Sequence, residues 1–163
     1  MSRFLFALAL LSTATAGDAP KPASGRPGGD VPVGEHRVVT PDQLAWKDGP
    51  AQIPGARMAV LEGDPNRSGL FTMRLRLPAG TKIPPHWHPA DEHVTVVSGE
   101  VWMATGDTFD PEKGHAMTAG SFAFMPARTH HYAWARTESV VQLHGMGPWQ
   151  MYFVEPTSVR PTQ

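Results

Sequence analysis

The sequence lacks cysteine altogether, and this absence removes several kinds of chemistry at once. Disulfide bonds, thiolate metal ligands and a cysteine nucleophile are excluded from the 163 residues. An excess of one charge is lacking as well, with 14 Lys and Arg against 15 Asp and Glu and no basic run. Nucleic acid is therefore not an expected partner. Neither a phosphate loop nor a dinucleotide fingerprint is present, so no organic cofactor is expected.

Long helical periods are missing too, and the apolar runs that are present have the period of strands. The chain has 16 glycines and 17 prolines, and both residue types break helices. From Leu70 to Leu77 apolar and polar residues alternate, which predicts a half-buried strand. Ser98-Gly99-Glu100 separates two further strands and predicts a hairpin turn between Val94–Val97 and Val101–Ala104. Many short strands separated by turns predict an all-β sandwich or barrel.

The two ends of the chain differ in composition from its middle. Residues 1–16 combine an early arginine, an apolar run and an Ala-x-Ala site, which predicts a secretory signal peptide. Residues 17–34 hold five glycines and four prolines and are predicted to form a flexible linker. A single domain is expected over 35–157, with a tail at 158–163. The protein would be exported, to the periplasm or the medium, with no membrane segment after cleavage.

Histidine is abundant, and its spacing carries the functional signal. Seven of the eight histidines lie in the second half of the sequence. His86 and His88 are two residues apart, so on an extended chain both imidazoles point to one face. Glu92 follows by an even step and joins that face if the chain is extended there. Imidazole and carboxylate together suit one divalent transition metal ion per chain, Fe, Mn, Ni, Cu or Zn.

The spacing resembles the first motif of the cupin superfamily, Gly-x5-His-x-His-x3-Glu-x6-Gly, over residues 80–99. Every fixed position of that motif is matched, by Gly80, His86, His88, Glu92 and Gly99. The resemblance is to small, single-domain, exported cupins of the quercetin dioxygenase-like type. It implies a double-stranded β-helix, also called a jelly-roll barrel.

A second segment, 120–135, resembles the second cupin motif, Gly-x5-Pro-x-Gly-x2-His-x3-Asn. Three positions match, Gly120, Pro126 and His131, whereas Arg128 replaces the glycine and Ala135 the asparagine. A tight turn at Pro126 ahead of a strand would bring His131 beside the first group. The resemblance implies a metal held by His86, His88, Glu92 and His131. His131 is preferred to His130 because adjacent strand residues face opposite ways and only His131 has the motif's offset.

The remaining candidates have weaker support. His93 is expected to face away from the metal, and His115 to be solvated in a loop over 106–118. Phe122, Phe124 and His144 are candidate substrate-binding residues, although packing roles stay open for all three. The tryptophans Trp102, Trp134 and Trp149 are interpreted as core or interface residues.

Three histidines and one glutamate leave coordination positions open, which marks a catalytic or ligand-binding metal rather than a structural one. The resemblance implies a dioxygenase-like oxidoreductase acting on a small molecule, with Glu92 as the catalytic base. Two alternatives stay open: a metal-dependent isomerase or lyase, and a non-catalytic cupin that binds a metal or a small molecule. Exposed tryptophans would suit a homodimer paired through a barrel edge.

We predict that a bacterial host exporting the full chain yields a mature protein that begins at Gly17. The cleavage signal is the pair of small residues Ala14 and Ala16, after which the peptidase cuts. The mass of the intact exported protein is the measurement. An exported product that still begins at Met1 would contradict the prediction.

Overall fold

The fold is made of short strands in two sheets. The computed structural model describes residues 36–154, so the predicted signal peptide, linker and C-terminal tail lie outside the described residues. Two 3-10 helices occur, at Pro41–Gln43 and Pro111–Lys113. The strands in chain order are β1 (Lys47–Asp48), β2 (Arg57–Glu62), β3 (Gly69–Leu77), β4 (Lys82–Trp87), β5 (Glu92–Ser98), β6 (Glu100–Thr105), β7 (His115–Thr118), β8 (Phe122–Met125), β9 (His131–Ala135), β10 (Ser139–Gly147) and β11 (Tyr152–Phe153). Within 36–154, no helix has the length and apolar character needed to cross a membrane.

The strand order confirms the predicted all-β jelly roll. Six strands form the first sheet in the order β1-β2-β3-β10-β5-β8, and five form the second in the order β11-β4-β9-β6-β7. The pairs within both sheets are antiparallel. Strands that are neighbours in space are mostly distant in sequence, which is how residues from separate motifs can meet.

The core lies where the apolar faces of the strands meet. In β3 the predicted alternation is confirmed, because one face is buried and consists of Phe71, Met73, Leu75 and Leu77. Ile83 of β4, Val101 of β6 and Ala133 of β9 belong to the same apolar cluster, so both sheets contribute to it. Each fully buried side chain of leucine size contributes about 1.5–3 kcal/mol to folding.

The turn at Gly99 is not the predicted hairpin. β5 pairs with β8 and β10 in the first sheet, whereas β6 pairs with β7 and β9 in the second. The turn therefore carries the chain from one sheet to the other. The prediction was wrong because alternation shows which face of a strand is buried but not which strand it pairs with.

The predicted loop over 106–118 is also corrected. It contains a 3-10 helix and strand β7, which begins at His115 and pairs with β6. His115 is exposed, as predicted, although it lies in a strand. β7 is four residues long and only Met117 is buried, a pattern too short for periodicity to reveal.

We predict that Gly99→Ala lowers the free energy of unfolding by about 2 kcal/mol or more. Gly99 has a φ of 82°, and an added Cβ would clash with Ser139 Oγ and the carbonyl oxygen of Glu138. Gly120→Ala is the matched control, because its φ is 89° but nothing lies within 4 Å of an added Cβ. The Gly120→Ala variant should lose about 1 kcal/mol of unfolding free energy, the cost of a left-handed backbone conformation alone. Urea denaturation measures both, and equal losses would contradict the prediction.

Candidate metal centre

Three buried histidines converge on one point of the fold. His86 of β4 and His131 of β9 are direct partners in the pairing of these strands, and His88 follows the end of β4. One ring nitrogen of each histidine lies within 4.8 Å of those of the other two. Their exposed fractions are 3%, 2% and 1%, respectively, for His86, His88 and His131. A buried group of this kind could bind a metal ion.

The backbone orients all three rings in the same way. Each Nδ1 lies within hydrogen-bond distance of a carbonyl oxygen: 2.7 Å for His86 and Pro84, 2.7 Å for His88 and Gln150, and 2.9 Å for His131 and Thr129. Because a carbonyl oxygen only accepts, each Nδ1 carries the proton, and each neutral ring keeps its lone pair on Nε2. Metal-ligating histidines typically donate their other N–H to such an acceptor. The tautomers therefore fit metal ligation through Nε2.

Glu92 completes the group from the opposite sheet. It begins β5, and its Oε2 lies 3.1 Å from His131 Nε2 while its Oε1 lies 3.6 Å from His88 Nε2. The expected extended path from His88 to Glu92 is not found, since the chain turns between β4 and β5 and changes sheet. Glu92 therefore reaches the histidines because the chain turns and changes sheet, and not because of its even spacing from His88. The site thus contains residues of both sheets.

Burial and charge shift the pKa values of the group in opposite directions. Burial, aided by the neighbouring His131, lowers the pKa of His86 to about 4, so this ring is neutral at neutral pH. Burial also lowers the pKa of His88. Burial alone would raise the pKa of Glu92, but contact with His131 and the charge of His88 outweigh it and lower that pKa. For His131, burial is outweighed by Glu92, and its pKa is raised.

A tight turn places His131 beside His88. Arg128 has a φ of 64°, in the left-handed region where the cupin motif has glycine. Its amide donates to the carbonyl oxygen of His88 at 2.8 Å, and the amide of Thr129 donates to that of Pro126 at 3.0 Å. The turn geometry is therefore kept in spite of the substitution, and it ties the second motif to the first.

A small cavity adjoins the histidines. Its volume is about 40 Å³, and its wall is apolar except for a few residues that include His86, Glu92, His131 and Trp149. The ring of Trp149 stacks on His88 with centroids 4.4 Å apart and planes at 19°. The sequence predicts a core or interface role for Trp149. No motif position marks it or Gln150, because both reach the site through the path of the chain after β10.

His130 and His93 lie outside the group. The Nδ1 of His130 lies 2.6 Å from Asp107 Oδ1, at a partly exposed position. His93 is on the other face of β5 from Glu92, and its ring stacks on that of His144 with centroids 4.6 Å apart. The structure thus brings His131 rather than its neighbour to the cluster.

The three candidate substrate-binding residues are not at the cavity. β8 pairs with β5 so that Phe124 is opposite His93, whereas Met125 is opposite Glu92. Phe122 and Phe124 are 57% and 48% exposed, and His144 shares their face through its contact with His93. The expectation that these residues wall the metal pocket is corrected: the register of β8 and β10 turns all three to the outer face of the sheet.

Comparison with known proteins gives a matching family model but no curated relative. The sequence matches the family model described as the ChrR cupin-like domain over residues 34–150. A search of curated proteins gives no match.

Solved structures share the fold at low sequence identity. A polyketide cyclase, RemF, from Streptomyces resistomycificus has a TM-score of 0.60 and 11% identity, covering 76% of this chain and 89% of that chain. An acetylacetone dioxygenase from Acinetobacter johnsonii has a TM-score of 0.55 and 22% identity, covering 71% and 76%. An RmlC-like cupin from Shewanella frigidimarina has a TM-score of 0.55 and 19% identity, covering 69% and 91%. At these identities the likeness shows the fold alone.

We predict that His86→Ala and His131→Ala each weaken metal binding by more than about 100-fold, since loss of a ligand should exceed the 10- to 100-fold effect of losing a ligand's supporting contact. His93→Ala is the matched control, because His93 adjoins Glu92 in sequence but faces the other way, and it should bind the metal like wild type. Metal content after dialysis and Co(II) titration measure the effect. Equal loss in the His93 variant would contradict the assignment.

Proposed function

The chain belongs to the family of ChrR cupin-like domains, and from that premise we propose that it is a metal-dependent oxidoreductase of the dioxygenase type acting on a small molecule. One observation supports a catalytic metal centre of this kind. A buried carboxylate, Glu92, lies against a group of three histidines whose Nε2 lone pairs are available for a metal. Such a site offers a base next to an open coordination position.

The residues fit a bound ion, and each has a definite task. His86, His88 and His131 would hold a divalent ion, with Glu92 as a fourth ligand or as a free base. A bound ion would supply Lewis acidity and, if redox-active, electron transfer with O₂. Glu92, ionised because its lowered pKa lies below the neutral range, would take a proton from the substrate at Oε1 or Oε2. Its burial keeps bulk water from competing for that proton.

The cavity limits the substrate. Ligand pockets for drug-sized molecules measure roughly 300–1,000 Å³, whereas the space beside the histidines is about 40 Å³. A few non-hydrogen atoms can enter without movement of the wall. We therefore propose that the reacting end of the substrate is compact and that its body is apolar like the lining.

A metal-dependent isomerase or lyase is the second candidate. The same base beside a Lewis acid can move a proton without consuming O₂. The structural likeness to a polyketide cyclase supports keeping this candidate, because the fold alone does not decide the chemistry. A cupin that binds a metal or small molecule without turnover is the third candidate, and in it Glu92 would serve only as a metal ligand.

Two further predictions of the sequence stay proposals. Export to the periplasm or the medium depends on residues 1–16, and a homodimer would pair through an edge of the barrel. Neither alters the chemistry proposed for the metal centre.

The deciding experiment combines oxygen uptake with one substitution. Protein loaded with Fe(II), Mn(II), Ni(II), Cu(II) or Zn(II) is tested with small enols, 1,3-diketones, phenols and thiols, while O₂ and substrate are both followed. We predict that Glu92→Gln, assayed at a saturating concentration of metal, lowers turnover by about 10²- to 10⁴-fold, the usual contribution of a general base. Glu112→Gln, at an exposed position, is the control and should have no effect.

The outcomes separate the candidates. Substrate loss that matches O₂ consumption supports the oxidoreductase. Substrate loss without O₂ consumption identifies an isomerase or lyase. Absence of turnover with every metal, in spite of tight metal binding, would overturn the proposal in favour of a binding protein.

A further inference from the structure

Trp149 is held firmly against the metal centre by contacts on several sides. Its ring stacks on His88 with centroids 4.4 Å apart, and it meets the ring of Phe71 edge-on at 6.1 Å. Its backbone amide donates to the carbonyl oxygen of Pro65 at 2.6 Å. The neighbouring Gln150 provides the carbonyl that orients His88. The indole therefore has a fixed position relative to a predicted ligand of the metal.

The indole N–H of Trp149 is buried without a partner among the described residues. A buried donor without an acceptor is unfavourable, and in native structures such groups are rare and call for an explanation. Trp102 shows the usual arrangement in the same protein, since its Nε1 donates to Glu100 Oε1 at 2.5 Å.

Trp149 lines the same cavity as His86, Glu92 and His131. Apart from these three side chains, Trp149 is the single described residue of the lining that has a side-chain nitrogen or oxygen. All other lining residues are aliphatic or methionine. Among the described residues that line this cavity, Trp149 therefore has the one side-chain N–H outside the predicted metal ligands, and that N–H has no partner.

We propose that Trp149 is a specificity residue whose Nε1–H donates a hydrogen bond to an oxygen atom of the small molecule that binds at the metal centre. The inference rests on the proposed function and adds the chemical class of the ligand. The ligand carries a carbonyl, hydroxyl or carboxylate oxygen that satisfies the indole, and a compact apolar portion that contacts the aliphatic wall. The volume of about 40 Å³ admits only a few such atoms.

The test compares two probes of similar size that differ in the acceptor atom. Protein loaded with Co(II) is titrated with acetate and, separately, with ethanethiol, and the Co(II) absorption spectrum gives each Kd. Oxygen is a strong acceptor and sulfur a weak one. Trp149→Phe removes the N–H and keeps an aromatic ring at the stacking position. Trp102→Phe is the matched control, because it removes an indole N–H that is already bonded to Glu100.

We expect Trp149→Phe to bind Co(II) like wild type, to raise the Kd of acetate about two- to tenfold, and to leave the Kd of ethanethiol unchanged. That range corresponds to the loss of one typical hydrogen bond. Trp102→Phe should leave all three constants unchanged.

An unchanged Kd for acetate, or an equal rise for both probes, would overturn the inference and leave the proposed function standing. Equal rises would show that Trp149 acts by packing. Failure of the wild-type protein to bind Co(II) would instead overturn the metal site of the proposed function, and the inference with it.

Discussion

The burial of three imidazoles and one carboxylate is the constraint on which the rest of this structure depends. A polar group removed from water must find partners inside the protein, or folding loses the free energy of its hydration. The three rings meet this requirement with backbone carbonyl oxygens, which fix Nδ1 as the protonated nitrogen. Those carbonyls come from separate stretches of the chain. The backbone therefore passes the site at three separate places in the sequence, and each supplies an acceptor for one ring.

The same constraint explains why the site tolerates a buried acid. Glu92 is 5% exposed, and an isolated carboxylate there would become protonated. Its neighbours His131 and His88 reverse that tendency and keep it ionised. Glu92 in turn raises the pKa of His131, so this ring holds a second proton, on Nε2, more readily than a free imidazole does. A divalent ion would compete with that proton for Nε2 of His131 and would release it on binding.

Much of this could be predicted from the sequence, for identifiable reasons. Spacing within a short extended segment fixes direction, so His86 and His88 and the strand over 70–77 could be placed from local pattern alone. The second motif placed His131 because a tight turn has few geometries. Pairing between strands is a long-range property, and here local pattern failed. Local pattern predicted a hairpin at Gly99, which the structure does not have. It also made Phe122 and Phe124 candidates for the pocket wall, whereas the register of β8 against β5 places both on the outer face of the sheet.

The segment after β10 shows what a local pattern cannot reveal. Residues 149 and 150 belong to neither motif, yet one stacks on His88 and the other orients it. They reach the site because β10 spans the first sheet between β3 and β5 and then delivers the chain to β11, beside β4. Because residues 149 and 150 contact His88, a ligand bound at the histidines would also stabilise this segment of the chain. Two adjacent residues of one short connection would then have separate tasks. Trp149 would select a ligand with an oxygen acceptor, and Gln150 would orient His88 for the metal.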